Sequence, residues 1–271
     1  MKKIKLFAPI LIALFVFSCK NEKKSDSKVN ETAQNQNAVS EQSKEETNNT
    51  VSIIPIEHAT AVVQWNDITV YIDPVGGAKA FEEQELPDLI LITDIHGDHL
   101  SVETLRELNT SRAKIIAPKA VADKLPEEFT TQLDILANGE SKERYGITIE
   151  AVPMYNLREE AKKFHEKGRG NGYILNLGDQ RIYFSGDTED IPEMRSLENI
   201  DKAFVCMNLP YTMTVENAAE GVLAFKPEQV YPYHYRGKPD VSDVAKFKEL
   251  VNAGNPDIEV VQLDWYPNNE Y

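Results

Sequence analysis

The stretch Thr93-Asp94-Ile95-His96-Gly97-Asp98-His99-Leu100 places two imidazoles and two carboxylates within six residues. The apolar run Leu89-Ile90-Leu91-Ile92 directly precedes it and predicts a buried strand. Layered α/β folds gather their ligands at the carboxyl ends of such strands, and imidazole and carboxylate groups bind divalent transition metals. The stretch therefore predicts a metal centre at a strand end.

The spacing within the stretch suggests two adjacent metals. Three side chains share the period of two that keeps residues of an extended segment on one side: Asp94, His96 and Asp98. His99 breaks this period, and we expect Gly97 to provide a sharp turn that directs Asp98 and His99 towards a neighbouring centre. The alternative is that Asp98 caps a helix beginning near Ser101 and that the histidines are ordinary surface residues.

The first nineteen residues are typical of an export signal, because three lysines precede an apolar run over residues 6–17. That run is shorter than the roughly 20 residues that a transmembrane helix needs. It ends in Val16-Phe17-Ser18-Cys19, which resembles a bacterial lipobox. We therefore expect lipidation at Cys19 and an exported, membrane-anchored lipoprotein in the periplasm or on the cell surface. A plain secretory signal or an uncleaved anchor is the alternative.

Residues 20–50 are rich in Lys, Glu, Asn, Gln, Ser and Thr, and this composition predicts a disordered tether. Residues 51–271 form the predicted folded domain. The chain carries a formal charge of −15, of which the signal contributes +3 and the tether −1, leaving −17 on the domain. Such a field repels phosphate backbones, so a nucleic-acid partner is not expected.

Strands and helices alternate along the domain. The turn Asn66-Asp67 joins two β-rich runs in a hairpin, and a second hairpin ends in Ser185-Gly186-Asp187-Thr188. Helices are predicted over residues 101–109, 215–225 with Thr214 as N-cap, and about 241–251. The order of these elements predicts an α/β fold with packed layers.

A basic segment interrupts this regular pattern at residues 156–172. It contains five lysines and arginines against three glutamates, and its net charge is +2. One interpretation is a flap that recognises an anion, and the other is an ordinary solvated loop. In both cases the segment carries His165.

Several motifs, taken in their order along the chain, resemble the metallo-β-lactamase superfamily of metal-dependent hydrolases. The loop around His96 is similar to the family signature His-x-His-x-Asp-His, with Asp94 at the first position. The matching segments are His58-Ala59-Thr60, Ile72-Asp73-Pro74, Phe164-His165-Glu166-Lys167-Gly168, Gly186-Asp187-Thr188 and the strand-end His234. They look most like the lactonase-like branch, which includes L-ascorbate-6-phosphate lactonase and N-acylphosphatidylethanolamine phospholipase D.

The resemblance implies an αβ/βα four-layer sandwich that holds two divalent metal ions. Zinc is expected, with manganese or iron as alternatives, because the carboxylate of Asp94 is a harder donor than imidazole. The implied ligands of the first ion are Asp94, His96, His165 and Asp187. Those of the second ion are Asp98, His99, His234 and the bridging Asp187. A metal-bound hydroxide would be the nucleophile.

The implied reaction is hydrolysis of a small ester, lactone or phosphodiester. Asp98 is the expected catalytic residue, and the expected substrate contacts are His58, Arg169, Tyr211 and Arg236. The basic groups favour an anionic substrate. The competing hypothesis is a non-catalytic lipoprotein that binds metal or senses a ligand, in which Asp94 marks decay of the first site.

Overall fold

The computed structural model describes residues 50–267 of the chain. The predicted signal, Cys19 and all of the predicted tether except residue 50 lie outside the described residues. Within the described part no helix is long and apolar enough to cross a membrane.

Two β-sheets form the centre of the structure. The first sheet has the order β1-β2-β3-β4-β5-β6, and the second has the order β13-β12-β11-β10-β9-β8-β7. The strands of the first sheet are Val51–Glu57, Thr60–Trp65, Ile68–Ile72, Leu89–Leu91, Lys114–Ala117 and Leu133–Ile135 for β1 to β6. Those of the second are Ser141–Arg144, Ile147–Met154, Gly170–Leu177, Gln180–Phe184, Lys202–Cys206, Gln229–Tyr233 and Glu259–Val260 for β7 to β13.

Five α-helices accompany the described strands. They are Val102–Glu107, Lys119–Ala122, Pro192–Arg195, Val215–Phe225 and Val244–Gly254 for α1 to α5. In each sheet, antiparallel hairpins pair at one side and parallel strands at the other. Parallel neighbours align their carboxyl ends at one edge, and this edge receives the ligand-bearing loops.

The period of two along the strands separates the layers. Val63 belongs to the large core cluster that joins both sheets, whereas its neighbour Val62 packs with Leu105 of α1 and Val121 of α2 in a second cluster. Val222 of α4 and other residues of α4 and α5 join the large cluster from the side of the second sheet. The predicted αβ/βα sandwich is confirmed.

Local sequence signals defined most of the element boundaries. Asn66 has a positive φ of 52° at the predicted hairpin turn. Helix α4 has the predicted bounds because the Thr214 hydroxyl accepts the backbone N–H of Asn217. Helix α5 begins three residues later than predicted, because Asp243 caps it by accepting the N–H of Lys246. The basic segment contains turns and no helix.

Candidate metal centre

Loops after several strands bring the predicted ligands together at one edge of the sandwich. The stretch with Asp94 and His99 follows β4, Asp187 follows β10, and His234 follows β12. His165 lies in the basic segment between β8 and β9. The first sheet therefore supplies the ligand-rich loop, and the second supplies the remaining three predicted ligands.

The turn in the ligand loop forms without special backbone geometry at Gly97. Its φ is not in the left-handed region, and a Cβ placed there would meet nothing within 4 Å. The turn instead closes through His96, whose carbonyl accepts the N–H groups of His99 and Leu100 at 3.0 and 2.8 Å. The predicted turn is present at residues 97–99 and does not depend on the special conformations of glycine, and His96 and His99 fall in separate candidate clusters.

The second centre gathers His99, Asp187 and His234, with Asp98 at its open side. The Nε2 atoms of His99 and His234 are 3.2 Å apart. Asp187 places Oδ1 3.0 Å from Nε2 of His234 and Oδ2 3.4 Å from Nε2 of His99. Ligand atoms around a tetrahedral zinc ion are separated by roughly 3.3 Å, since each lies about 2.0 Å from the metal. These residues therefore fit a divalent cation.

Asp73 orients His99 from behind and is a functional residue that the sequence interpretation missed. Its Oδ2 lies 2.7 Å from Nδ1 of His99, and it also accepts the backbone N–H and the hydroxyl of Thr93 at 2.7 and 2.6 Å. All three residues are fully buried. A proton held on Nδ1 by the carboxylate leaves the Nε2 lone pair directed at the centre, as metal-binding histidines require.

The electrostatics of the second centre favour a cation. Burial lowers the pKa of His99, but the carboxylates of Asp187 and Asp73 raise it more, so the net pKa lies well above its usual value. Burial raises the pKa of Asp187, yet His234 and His99 lower it more strongly, and its net pKa falls well below the usual range. The carboxylates of this cluster therefore concentrate negative charge. When no metal is bound, protons on the imidazole rings compensate that charge.

The first centre brings together Asp94, His96 and His165. Oδ2 of Asp94 lies 2.8 Å from Nδ1 of His96 and 4.0 Å from Nε2 of His165. Nε2 of His165 also lies 3.1 Å from Oδ2 of Asp187, which links the two centres. The predicted bridging position of Asp187 is thus compatible with its contacts.

His165 is oriented by groups on its Nδ1 side. The carbonyl of Tyr211 lies 3.2 Å from Nδ1, and the amide nitrogen of Asn156 lies 3.1 Å from it. Nε2 of His165 faces Oδ2 of Asp187 at 3.1 Å, and Oδ1 of Asp187 faces Nε2 of His234 at 3.0 Å, but neither contact has the geometry of a hydrogen bond. Buried polar atoms are almost always satisfied. Ligand atoms that face one another in this way fit a cation bound between them.

The predicted substrate contact Arg169 lies on Asp94 instead. Its Nε and Nη2 donate to the two oxygens of Asp94 at 3.0 and 2.7 Å. Arg169 does not line the pocket described below. The other arginine of the basic segment, Arg158, donates to the carboxylate of Glu189 at 2.6 Å, and Lys167 to Glu193 at 2.8 Å. Lys162 pairs with Glu159, whereas Lys163 has no ion pair among the described residues and lies 5.0 Å from the centroid of the Phe164 ring. Four of the five cations of the segment are therefore paired, and recognition of an anion by this segment stays a prediction.

An open pocket of about 520 Å³ lies over both centres. Its described lining residues are His58, His96, Asp98, Phe164, His165, Asp187, Asn208, Tyr211, Arg236, Gly237 and Lys238. The rings of Phe164 and Tyr211 meet edge to face at 5.1 Å. Three of the four predicted substrate contacts, His58, Tyr211 and Arg236, therefore lie on the pocket lining.

His58 lies beside the second centre. Its Nε2 is 3.4 Å from Oδ2 of Asp98, and its ring centroid is 3.8 Å from that of His234. On the other side, Nδ1 lies 2.7 Å from the hydroxyl of Tyr266, which also accepts the backbone N–H of Arg236 at 3.0 Å. Burial and the neighbouring His234 lower the pKa of His58 to about 4. The ring therefore stays neutral at physiological pH.

The pocket wall depends on close contact between two loops. Gly237 lies so near Leu209 that a Cβ there would fall 1.9 Å from the carbonyl oxygen of Leu209, and the N–H of Lys238 donates to that carbonyl at 2.8 Å. This contact places Arg236 and Lys238 next to the loop that carries Asn208.

Comparison with known proteins agrees with this geometry. A family model described as a beta-lactamase superfamily domain matches residues 52–234. A UPF0173 metal-dependent hydrolase of Pyrococcus horikoshii is 35% identical over 184 residues, which cover 66% of this chain and 80% of the relative.

Two solved structures share the fold. One, from Parabacteroides distasonis, is of a predicted metal-dependent hydrolase; it is 34% identical, has a TM-score of 0.70 and covers 78% of this chain and 92% of its own. A metallo hydrolase from Ignicoccus hospitalis has a TM-score of 0.66 at 22% identity, covering 79% of this chain and 94% of its own. The chain thus belongs to the metallo-β-lactamase superfamily, as a metal-dependent hydrolase of the UPF0173 family.

Proposed function

We propose that this hydrolase cleaves a small anionic ester, lactone or phosphodiester with the help of two divalent metal ions, most simply zinc. The observation that carries the proposal is the pair of ligand clusters that meet at Asp187 beneath an open pocket. The resemblance of the His58 and Phe164–Gly168 segments to the lactonase-like branch supports the same reaction class.

The chain would hold one ion with Asp94, His96, His165 and Asp187 and the other with Asp98, His99, His234 and Asp187. When bound, such ions lower the pKa of a water molecule and stabilise negative charge that develops on the attacked oxygen. The protein's own contribution is to fix the ligands before substrate arrives. Asp73 and the carbonyl of Tyr211 do this for His99 and His165.

Asp98 is the proposed catalytic carboxylate. Its side chain is 41% exposed on the pocket floor, and its Oδ2 lies 3.6 Å from Nε2 of His234. Burial raises its pKa, but His99 and a hydrogen bond from His58 lower it more, so the net pKa lies below the usual value. The carboxylate therefore stays ionised at neutral pH and is available as a ligand and as a proton acceptor.

Two cations on the pocket lining support an anionic substrate. Lys238 has no ion pair among the described residues, and Arg236 lies 3.6 Å from its nearest carboxylate, that of Glu57. Substituting Arg236→Gln and Lys238→Gln should each raise KM for an anionic substrate at least about threefold and leave KM for a neutral ester unchanged. Equal KM values for both substrate types would remove the argument for an anion.

The decisive experiment for hydrolysis is a panel of esters, lactones and phosphodiesters, assayed with metal removed and restored. Turnover should disappear with chelator, return with zinc, and be lost in Asp98→Ala. Arg112→Gln changes an exposed arginine that pairs with Asp88, which lies at the opposite end of β4 from the ligand loop. It does not line the pocket, and this control variant should keep full activity. Tight metal binding without turnover on any substrate would favour the alternative, a metal-binding or ligand-sensing lipoprotein.

We also propose that the protein is exported and anchored by lipid on Cys19. The support is the lipobox-like sequence Val16-Phe17-Ser18-Cys19 after a short apolar run. Labelling of cells with a fatty-acid analogue should mark the wild-type protein and not Cys19→Ala, which should leave the membrane fraction. Equal labelling of both proteins would contradict lipidation at this residue.

A further inference from the structure

The ion pair between Arg169 and Asp94 distinguishes the first centre from the second. Both nitrogens of the guanidinium fork reach the carboxylate, at 3.0 and 2.7 Å. The Asp94 side chain is fully buried, and that of Arg169 is 16% exposed. Bidentate pairs of this kind are among the strongest hydrogen-bonded ion pairs in proteins.

The backbone around Arg169 fixes this position. The N–H of Asn171 donates to the carbonyl of Thr93 at 3.0 Å, and a Cβ on Gly170 would fall 2.9 Å from the same carbonyl oxygen. Nη2 of Arg169 also donates to the carbonyl of Phe164. The segment that carries the guanidinium therefore lies directly on the segment that carries Asp94, and the pair is built into the fold.

The paired carboxylate is the one that a metal at the first centre would use. Oδ2 of Asp94 accepts from Arg169 and also faces Nδ1 of His96. The guanidinium of Arg169 already compensates the negative charge of Asp94, and it repels a metal cation at the first centre. At the second centre, by contrast, the carboxylates of Asp98 and Asp187 form ion pairs only with histidines among the described residues.

We propose that Arg169 is a built-in cation that makes the two centres unequal. The second centre binds its divalent ion tightly, and the first binds one weakly and exchangeably. Arg169 and Asp94 together position His96, so that the first centre keeps its shape when it holds no ion. This inference rests on the metal sites of the proposed function and concerns affinity, not reaction.

The test is a titration of the metal-free protein with Zn²⁺ in competition with a chromophoric chelator, checked by elemental analysis after dialysis. The wild type should bind one ion tightly and a second at least about tenfold more weakly, because the guanidinium repels a cation beside Asp94. Arg169→Gln removes this positive charge and should strengthen the second step at least about tenfold, leaving the first step unchanged. Arg169→Lys, which keeps the charge, should remain close to wild type.

Lys238→Gln is the matched control, because it removes a positive charge from the pocket and does not contact Asp94 in the described structure. It should change neither binding step by more than about threefold. Two equally tight ions in the wild type would overturn the proposal even if Arg169→Gln failed to fold. An unchanged second step in a folded Arg169→Gln, or an equal gain in the control, would also overturn it.

The titration is independent of catalysis. Unequal binding without turnover on any substrate would keep this inference and refute the proposed function. Turnover with two equally tight ions would refute this inference and keep the proposed function.

Discussion

Replacing Asp73 by Asn should weaken metal binding at the second centre without disturbing the backbone. Asp73 has a positive φ of 44°, a conformation that asparagine tolerates well. The amide would keep one oxygen to accept the N–H of Thr93. Its NH₂ group would then face Nδ1 of His99 and donate to it, which moves the ring proton to Nε2, the atom that must bind the metal.

The size of the effect follows from the role of Asp73 as the partner of a ligand. Loss of such a partner reduces metal affinity by about 10–100-fold, or about 1.4–2.7 kcal/mol. The upper part of this range applies here, because Asp73 and His99 are fully buried and no water can replace the carboxylate. Competition titration with Zn²⁺ measures the change directly.

Thr93→Val is the control for this prediction. It removes one hydrogen bond to Asp73 but leaves the charge beside His99, so its effect on the tight binding step should stay below about fivefold. An Asp73→Asn protein that binds zinc with wild-type affinity and melts normally would refute the reasoning that Asp73 sets the His99 tautomer.

Three further outcomes follow from the structure. Because the pKa of His99 is raised, the stability that His99 gives the metal-free protein is complete below pH 6.5 and is lost as pH rises through its folded-state pKa. His58 has a pKa of about 4 in the folded protein and does not change its charge above pH 6.5. Urea midpoints of metal-free protein should therefore fall above pH 6.5 and rise with pH when zinc is present, since zinc competes with the protons; parallel curves would contradict this. Gly237→Ala should cost about 1–3 kcal/mol of folding free energy, because the new methyl group meets the Leu209 backbone. Gly97→Ala in open space should cost less than about 0.5 kcal/mol by the same denaturation assay, and equal losses would refute the packing argument. Asp187→Asn should abolish tight binding of the first equivalent of zinc in the same titration, and retention of it would exclude the shared-ligand arrangement.

Much of the fold could be predicted from turn and helix-cap signals, because these depend on residues that are close in sequence. The Asn66-Asp67 turn and the Thr214 cap depend on neighbours within a few residues. Strand β1 was not predicted, since it contains Pro55 and lies at the edge of its sheet among the described strands. The start of α5 was misplaced because no N-cap was assigned to it from the sequence, and in the structure Asp243 accepts the N–H of Lys246 at the start of the helix.

The candidate site could be predicted only in part, because some of its contacts join residues that are far apart in sequence. The predicted metal ligands converge, because family resemblance carries three-dimensional information that spacing alone lacks. Asp73 was noted only as part of a segment that matches the family and was given no role, since its partner His99 lies 26 residues further along the chain. Arg169 was assigned to substrate because its charge was visible and its partner, Asp94, lies 75 residues earlier.

The division of the ligands between the two sheets has a consequence for biosynthesis. The half of the chain that leaves the ribosome first supplies Asp94, His96, Asp98 and His99, whereas His165, Asp187 and His234 come later. Neither half contains a complete set of ligands. In the proposed arrangement, an ion would meet a complete set of ligands only after the second half has been made and docked, and it would then link the two halves. Its loss from the finished protein would remove that link between the sheets.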